Sequence, residues 1–130
     1  MLTSHEIEIR VRYKETDGQG FVHHANYIVF FEMGRTELFR AAGGDYREME
    51  ERGYFLVVAK LECRYLLPAR YDDLLRLRTT VTRITAAKLE HLYELFRGDA
   101  KVCEARSTLA CIDRDGRVQR IPKAFGGPGD

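Results

Sequence analysis

A turn-rich polar loop leads directly into a long apolar segment in residues 12–37, RYKETDGQGFVHHANYIVFFEMGRTE. The loop at residues 16–20 contains an aspartate and two glycines, which favour tight turns. The apolar segment that follows is too long for an ordinary strand and carries its aromatic residues near helical spacing. The junction therefore predicts a loop at the mouth of a buried helix, around which the rest of the chain must fold.

The predicted helix rests on the spacing of Tyr27, Phe31 and Leu38, which recur at roughly three to four residues or multiples of that period. Asn26 is a favourable N-cap, and two consecutive glycines after residue 42 favour termination. Apolar residues surround much of the segment, so the helix is expected to be mostly buried. Gly34 inside it costs about 1 kcal/mol relative to alanine, which suggests that a neighbouring strand approaches closely there.

Strict alternation precedes the loop, because Ile7, Ile9 and Val11 face one way and charged residues face the other. This pattern predicts a half-buried strand over residues 5–13. Four further strands and a short second helix are predicted downstream, and short turns between strands imply antiparallel pairing. The predicted fold class is therefore α+β, with a sheet of about five strands and one long helix. The later strands are residues 54–67, 74–85, 89–96 and 101–112, and the short helix is residues 45–52.

The second predicted strand alternates from Val57 onward, which places its apolar side chains on one face. These side chains are Val57, Ala59, Leu61, Cys63 and Tyr65. One helix of about 16 residues cannot cover both faces and both edges of five strands. The remaining apolar surface is therefore expected to be buried by self-association.

Composition restricts the architecture and the partners. The 130 residues fit a single domain, 1–130, with a tail expected to be frayed from about residue 125. A net charge of +1, with dispersed lysines and arginines, argues against nucleic acid as the principal partner. No apolar run approaches the ~20 residues of a membrane span, and the first residues lack the pattern of a secretory signal. Three cysteines without metal-like spacing predict buried thiols in a reducing, cytoplasmic compartment.

The densest polar cluster, residues 12–27, brings a carboxylate to the predicted helix start. The first turn of a helix carries unpaired backbone N–H groups and roughly half a positive charge, which suits a developing oxyanion. Asp17 lies in the loop just upstream, and His24 lies between the two. A carboxylate beside such donors suffices for thioester hydrolysis, because a thiolate leaves without a strong general acid.

Other interpretations of this cluster remain open from the pattern alone. Asp17 and the glycine after it are also typical of a type I′ hairpin turn, with residues 21–31 as the second strand. His23 and His24 could bind a metal together with Asp17, but adjacent histidines point in different directions, so no metal is expected. Tyr13, on the predicted inward face of the first strand, fits a core tyrosine as well as a catalytic group.

Several stretches of the sequence resemble the hotdog-fold thioesterases. The resemblance is carried by residues 12–20, 22–27 and 31–37, by residues 65–73 (YLLPARYDD) and by residues 120–122 (RIP). The nearest branch is the 4-hydroxybenzoyl-CoA thioesterase type, which includes acyl-CoA thioesterases associated with the bacterial Tol–Pal system. The likeness covers nearly the whole chain in order and spacing, and it favours a catalytic Asp17 over a simple hairpin turn.

The resemblance implies a curved antiparallel sheet wrapped around the long helix, and hydrolysis of acyl-CoA without a cofactor. Asp17 then matches the catalytic aspartate, acting as nucleophile or general base. His24 marks the helix-start N–H of the oxyanion site, and in the Tol–Pal-associated branch a histidine side chain at this place is also counted among the active-site residues. Tyr13 matches a tyrosine grouped with them. Two protomers are expected to share a continuous sheet with active sites at their interface, as a homodimer or, more commonly, a homotetramer.

Substrate contacts are implied less specifically. The branch often has an aromatic residue beside the acyl pocket where this chain has His23, so the resemblance does not give the acyl preference. Candidate contacts are His23, Asn26 and Tyr27 near the helix start, and Arg70, Arg83 and Lys88 for the CoA phosphates.

Two other functions remain alternatives to hydrolysis. The first is a non-catalytic acyl-CoA binding module on the same fold, which would not need the Asp17 cluster. The second is an acyl-thioester dehydratase or hydratase, in which His23 or His24 would shuttle a proton together with the aspartate.

Overall fold

The computed structural model describes residues 2–128, which form a five-stranded antiparallel sheet and one long helix, as the predicted α+β class requires. The elements are β1 (Ser4–Arg10), a first 3₁₀ turn (Tyr13–Glu15), α1 (His24–Ala41), α2 (Tyr46–Glu51), β2 (Phe55–Tyr65), β3 (Leu74–Ile84), β4 (Lys88–Arg97), β5 (Ala100–Ile112) and a second 3₁₀ turn (Lys123–Phe125). The strand order is β1-β3-β4-β5-β2, so β1 and β2 are the edges. None of the helices within residues 2–128 is long and apolar enough to cross a membrane.

The helix α1 begins three residues earlier than the predicted Asn26 cap allows. Its N-cap is His23, whose Nδ1 accepts a hydrogen bond from the N–H of Ala25 at 3.1 Å. The Asn26 side chain instead donates to the carbonyl of Glu15 at 2.8 Å. The prediction of Asn26 as the cap was wrong because its amide serves a tertiary contact, and a histidine ring nitrogen caps the helix instead.

The core lies between α1 and the sheet. The helix packs mainly on β1 and β3. Phe31 is completely buried, and its ring stacks on Tyr93 of β4 with the ring centroids 4.7 Å apart. Ile9 and Val11 are buried against the helix, as their alternation predicted. The same alternation fails for Tyr13, because the chain leaves the strand after Arg10 and turns.

Gly34 lies where α1 comes closest to β3, as its cost in a helix suggested. A Cβ atom added to Gly34 would overlap Thr79 Oγ1 and lie 2.7 Å from Leu77 Cδ2. Both side chains are completely buried, so neither can move into solvent. The absence of a side chain therefore sets how closely the helix and the strand approach.

Replacing Gly34 with alanine is expected to lower the free energy of unfolding by about 1–2 kcal/mol. Overpacking a tight contact costs about 1–3 kcal/mol, and two contacts below 3.0 Å place this change at about 2–3 kcal/mol. The better helix propensity of alanine offsets about 1 kcal/mol of it. Urea denaturation measures the change. Gly18→Ala is the control, because a Cβ atom added there would meet no other atom within 4 Å. Equal stability of the Gly34 variant and the native chain would contradict the close-approach interpretation.

The prediction that the alternating apolar residues of β2 share one face is partly wrong because of a β-bulge. The pairing between β2 and β5 shifts register between Val58 and Lys60, so Ala59 is left without a direct partner. Beyond the bulge, Leu61 and Cys63 point to the core, although both are only partly buried. Before it, Val57 points away from the core. A single extra residue therefore divides an alternation that looked continuous in the sequence.

The end of the described chain is packed, which corrects the predicted frayed tail from residue 125. Phe125 is buried with Met49 and Ile121, and the guanidinium of Arg52 lies 4.9 Å from its ring centroid. The N–H of Gly127 donates to the carbonyl of Pro122 at 3.0 Å. Residues 129 and 130 of the predicted tail lie outside the described residues.

His91 of β4 is buried on the helix side of the sheet, and its Nδ1 has no hydrogen-bond partner among residues 2–128. Burial, together with the nearby charge of Arg35, lowers the pKa of His91 from 6.5 to about 4. The native state therefore holds a neutral ring at pH values where the unfolded chain already binds a proton.

The protein is consequently expected to lose stability as the pH falls from about 6.5 to 4. The lowered pKa of His91 corresponds to about 3 kcal/mol, fully present above pH 6.5 and gone below pH 4. Urea denaturation across this range measures the loss, and His91→Gln should remove that part of the slope. An identical slope in the variant would show that other groups carry the pH dependence.

Candidate active site

The loop between β1 and α1 is a short hairpin that is tied to the helix start. Thr16 pairs with Val22 in an antiparallel bridge, and the N–H of Asp17 donates to the carbonyl of Phe21 at 2.8 Å. The N–H of Gly20 donates to the carbonyl of Asp17 at 3.0 Å, and Gly20 has a positive φ of 82°. These contacts define a type I turn followed by a left-handed glycine, rather than the type I′ turn considered from the sequence.

The helix begins at His24, only two residues after the bridged Val22, which excludes the predicted alternative of a second strand over residues 21–31. The carboxylate of Asp17 is held by the loop backbone. Its Oδ1 accepts hydrogen bonds from the N–H of Gln19 at 2.9 Å and of Phe21 at 3.2 Å. Its Oδ2 accepts no hydrogen bond from residues 2–128, so one carboxylate oxygen is left for chemistry.

The next rungs of the same ladder hold the helix start. The N–H of His23 donates to the carbonyl of Glu15 at 2.8 Å. This hydrogen bond lies two residues along the ladder from the one between Asp17 and Phe21. At a rise of about 3.3 Å per residue, Asp17 lies about 7 Å along the ladder from His23. The loop carboxylate and the mouth of α1 therefore belong to one small, hydrogen-bonded unit.

The mouth of α1 leaves one backbone donor free. The N–H of Ala25 donates to the His23 ring and the N–H of Asn26 to the His23 carbonyl. The N–H of His24, the first helical residue, has no hydrogen-bond acceptor within residues 2–128. Tyr65 of β2 holds this residue in place, because its hydroxyl donates to the His24 carbonyl at 3.0 Å.

Glu15 is a buried residue of the site that the sequence interpretation missed. Its carboxylate accepts from the backbone N–H of Arg12 at 2.6 Å and from Nε of the same residue at 2.7 Å. Burial raises the pKa of Glu15, but the hydrogen bonds and charge of Arg12 outweigh burial and leave that pKa below its usual value. The spacing of three between Arg12 and Glu15 was the available signal, since a glutamate at the third helical position can accept from the backbone N–H of the cap residue.

Residues 11–127 match the thioesterase-like superfamily. The chain belongs to this superfamily. It is 35% identical to the acyl-CoA thioesterase YbgC of Haemophilus influenzae, over 81% of this chain and 78% of the relative. It is 31% identical to the acyl-CoA thioester hydrolase YbgC of Escherichia coli O157:H7, over 81% and 79%. A DHNA-CoA thioesterase from Staphylococcus aureus superposes with a TM-score of 0.90 at 27% identity, over 94% of this chain and 83% of that one.

Membership of the thioesterase-like superfamily confirms the expected resemblance and the hotdog fold, with α1 packed on one face of the antiparallel sheet. It gives no roles to individual residues of this chain. Those roles depend on where each predicted residue of the thioesterase lies.

Tyr13 lies differently from its predicted inward position. It belongs to the first 3₁₀ turn, its side chain is 76% exposed, and its ring meets Tyr71 edge-on at 5.2 Å between centroids. Tyr27, in contrast, is buried under the helix start, where burial raises the pKa of its hydroxyl to about 12. Its ring meets Tyr65 at 5.3 Å. The neutral Tyr27 ring therefore packs against the tyrosine whose hydroxyl binds the His24 carbonyl.

The two histidines of the thioesterase do not form a metal pair in this structure. The His23 and His24 rings stack with centroids 4.2 Å apart, and both side chains are exposed. Within residues 2–128 no group of three or more His, Cys, Asp or Glu side chains has the arrangement of a metal site. The contribution of His24 to the site geometry is its backbone, and that of His23 is its capping ring.

The predicted phosphate contacts lie at two opposite ends of the sheet. Arg70 borders the Asp17 loop, because its backbone pairs with Phe21 and its guanidinium lies 4.7 Å from that ring. Arg83 and Lys88 flank the turn between β3 and β4. That turn is about 30 Å from the other end of β3, given a rise of about 3.3 Å per residue. Within one protomer, the thioesterase therefore brings only Arg70 to the Asp17 loop.

Proposed function

We propose that the protein hydrolyses acyl-CoA thioesters to the free acid and CoA, with Asp17 as the catalytic carboxylate. The proposal is carried by two groups on one hydrogen-bonded ladder, the Asp17 Oδ2 oxygen and the His24 backbone N–H. Neither group has a hydrogen-bond partner among residues 2–128. The relatives named as acyl-CoA thioesterases support the choice of substrate.

In the proposed reaction the thioester carbonyl oxygen accepts a hydrogen bond from the His24 N–H. That N–H and the positive end of α1 stabilise the oxyanion that forms when the carbonyl carbon is attacked. Asp17 either attacks this carbon directly or removes a proton from the attacking water. The carbon–sulfur bond then breaks, and CoA leaves as a thiolate that is protonated by solvent. Where water attacked, this step gives the free acid directly; where Asp17 attacked, a water molecule then hydrolyses the Asp17–acyl anhydride, which releases the free acid and restores the carboxylate.

A thiol-release assay over short, long and aromatic acyl-CoAs tests the proposal. Release of CoA in proportion to free acid supports hydrolysis. Tight binding without turnover would favour an acyl-CoA binding module instead. Double-bond formation or hydration without CoA release would favour a dehydratase or hydratase.

The same assay ranks the candidate substrate contacts. His23, Asn26 and Tyr27 line the helix start, and Arg70 is the proposed phosphate contact within the protomer. Arg70→Gln is expected to raise KM for acyl-CoA more than for an acyl thioester that lacks the nucleotide. Arg83→Gln is the matched control at the distant turn.

We infer further that the protein self-associates through the edge of β2 and the exposed side of α1. Large apolar side chains are exposed on both: Ile28, Val29 and Met33 of α1, and Val57, Val58 and Tyr65 of β2. An uncovered strand edge offers unpaired backbone groups to a second copy. We propose a homodimer built on this edge, with the tetramer as its further assembly.

Light scattering after size-exclusion chromatography tests the self-association. Val58→Lys is expected to reduce the mass to that of a monomer, because it places a charge on the edge. Val118→Lys is the control, since Val118 is also exposed but belongs to no strand of the sheet. Unchanged mass in the Val58 variant would place the interface elsewhere.

We also propose a single domain that works in the cytoplasm. Free thiols at Cys63, Cys103 and Cys111 support a reducing compartment. Fluorescence imaging of a tagged chain in its host tests the location.

A further inference from the structure

A cavity lies at the opposite end of α1 from Asp17. It has a volume of about 190 Å³, is open to solvent on one side and is lined by the last turns of α1, the β3–β4 end of the sheet and the second 3₁₀ turn. An apolar cavity of about 150 Å³ holds a benzene molecule, so this one has room for a small organic body. Its apolar walls include Leu38, Phe39, Ile84, Leu89, Ile121 and Phe125.

All the charged side chains on the cavity wall are basic. Arg35 and Lys123 line it, and no aspartate or glutamate among residues 2–128 does. Arg35 forms no ion pair with a carboxylate within the same range. Its one hydrogen bond there, to the Tyr93 hydroxyl, is long at 3.5 Å. A partly buried guanidinium without an anionic partner is costly, and a carboxylate matches its geometry.

His91 supplies a second polar group to the same cavity. The residue is only 3% exposed, and its Nδ1 is without a partner among residues 2–128. Because Nδ1 is closed off from the cavity, a ligand there would meet the other ring nitrogen, Nε2, which makes no hydrogen bond within residues 2–128; in the tautomer that carries the proton on Nε2, the ring can donate to a carboxylate oxygen. A buried donor left unsatisfied is destabilising, so a ligand that accepts from it would gain affinity.

We propose that this cavity binds a small monocarboxylic acid, with its carboxylate on Arg35 and His91 and its apolar body among the aliphatic and aromatic walls. A single negative charge matches the one partly buried guanidinium, whereas a phosphate dianion would bring excess charge into an apolar space. The site is separate from Asp17 and does not depend on the proposed hydrolysis.

Isothermal titration and amide NMR with hexanoate test the site, and hexanamide is the uncharged probe of the same length. Hexanoate is expected to bind at least about tenfold more tightly than hexanamide, since one charge-assisted contact is worth about that factor. Arg35→Gln should remove this preference while leaving the weak binding of hexanamide. The amide shifts should fall on the end of α1 and the second 3₁₀ turn.

Two further variants keep the result decisive. Ala42→Phe places a ring at the exposed mouth of the cavity and should abolish binding of both probes, even if the Arg35 variant does not fold. Asp17→Asn should leave hexanoate binding unchanged, which separates this site from product bound at the catalytic loop. Equal affinities for the two probes, binding that survives Ala42→Phe, shifts confined to the Asp17 loop, or no binding would each overturn the proposal.

Discussion

Replacing Asp17 with asparagine is expected to reduce thioester turnover by about 100- to 10,000-fold while the fold is retained. The asparagine Oδ1 can still accept the hydrogen bonds from the N–H groups of Gln19 and Phe21, so the loop keeps its shape. The neutral amide can neither attack the acyl carbon nor remove a proton from water. Turnover is measured by thiol release, and folding by circular dichroism and thermal unfolding.

The control for this prediction is Asp99→Asn, which removes an exposed carboxylate from the turn between β4 and β5. It should leave kcat and KM unchanged. The Asp17 variant should keep a KM close to the native value, because the carboxylate acts on the reacting carbon rather than on the nucleotide. Retained kcat in a folded Asp17 variant would remove this residue from the mechanism.

The fold was predictable because its elements are long and strongly patterned. Ile7 and Ile9 alternate with charged residues along β1, and the apolar run from Tyr27 fills α1 on several sides. Each pattern fits only one type of backbone, and short turns then left little choice of topology. Even the close approach of α1 and β3 at Gly34 followed from the cost of glycine in a helix.

The errors arose where a tertiary contact or an extra residue overrides a local rule. Asn26 is the better cap by residue type, but its amide is used by Glu15, and His23 caps α1 instead. In β2 the bulge at Ala59 makes the side chains before it point to the opposite face of the sheet from the one that the alternation predicts. Alternation alone cannot reveal such an extra residue. The position of the cap depends on a contact across the loop, and the bulge depends on the pairing of β2 with β5, which is far away in the sequence.

The candidate site was only partly predictable for a related reason. Asp17 was identified from its position between a strand and a helix, and the structure places it in a ladder with His23. Its catalytic role stays a prediction. Tyr65, which holds the His24 carbonyl, comes from a strand 41 residues away, so the sequence pattern gave it no role in the site. Arg83 and Lys88 were grouped with Arg70 by charge alone, although β3 separates them.

Replacing His24 with proline is expected to reduce turnover about 100- to 1,000-fold below the level of His24→Ala. Removing one oxyanion donor costs about that much, and proline removes the backbone N–H that alanine keeps. Proline is favoured at the first position of a helix, and the preceding His23 is already extended with ψ of 136°, as a residue before proline requires. The pair of variants therefore separates the N–H from the imidazole at a single position.

Thermal unfolding should give similar midpoints for the two His24 variants. The backbone N–H of residue 24 makes no hydrogen bond within residues 2–128, so its removal by proline costs none. Thiol release should then show the full difference in kcat, since the donor acts on the oxyanion rather than on bound substrate. If His24→Pro folds and turns over as fast as His24→Ala, the helix mouth does not stabilise the oxyanion. If His24→Ala is already inactive, the imidazole itself carries the chemistry, and the backbone donor is secondary.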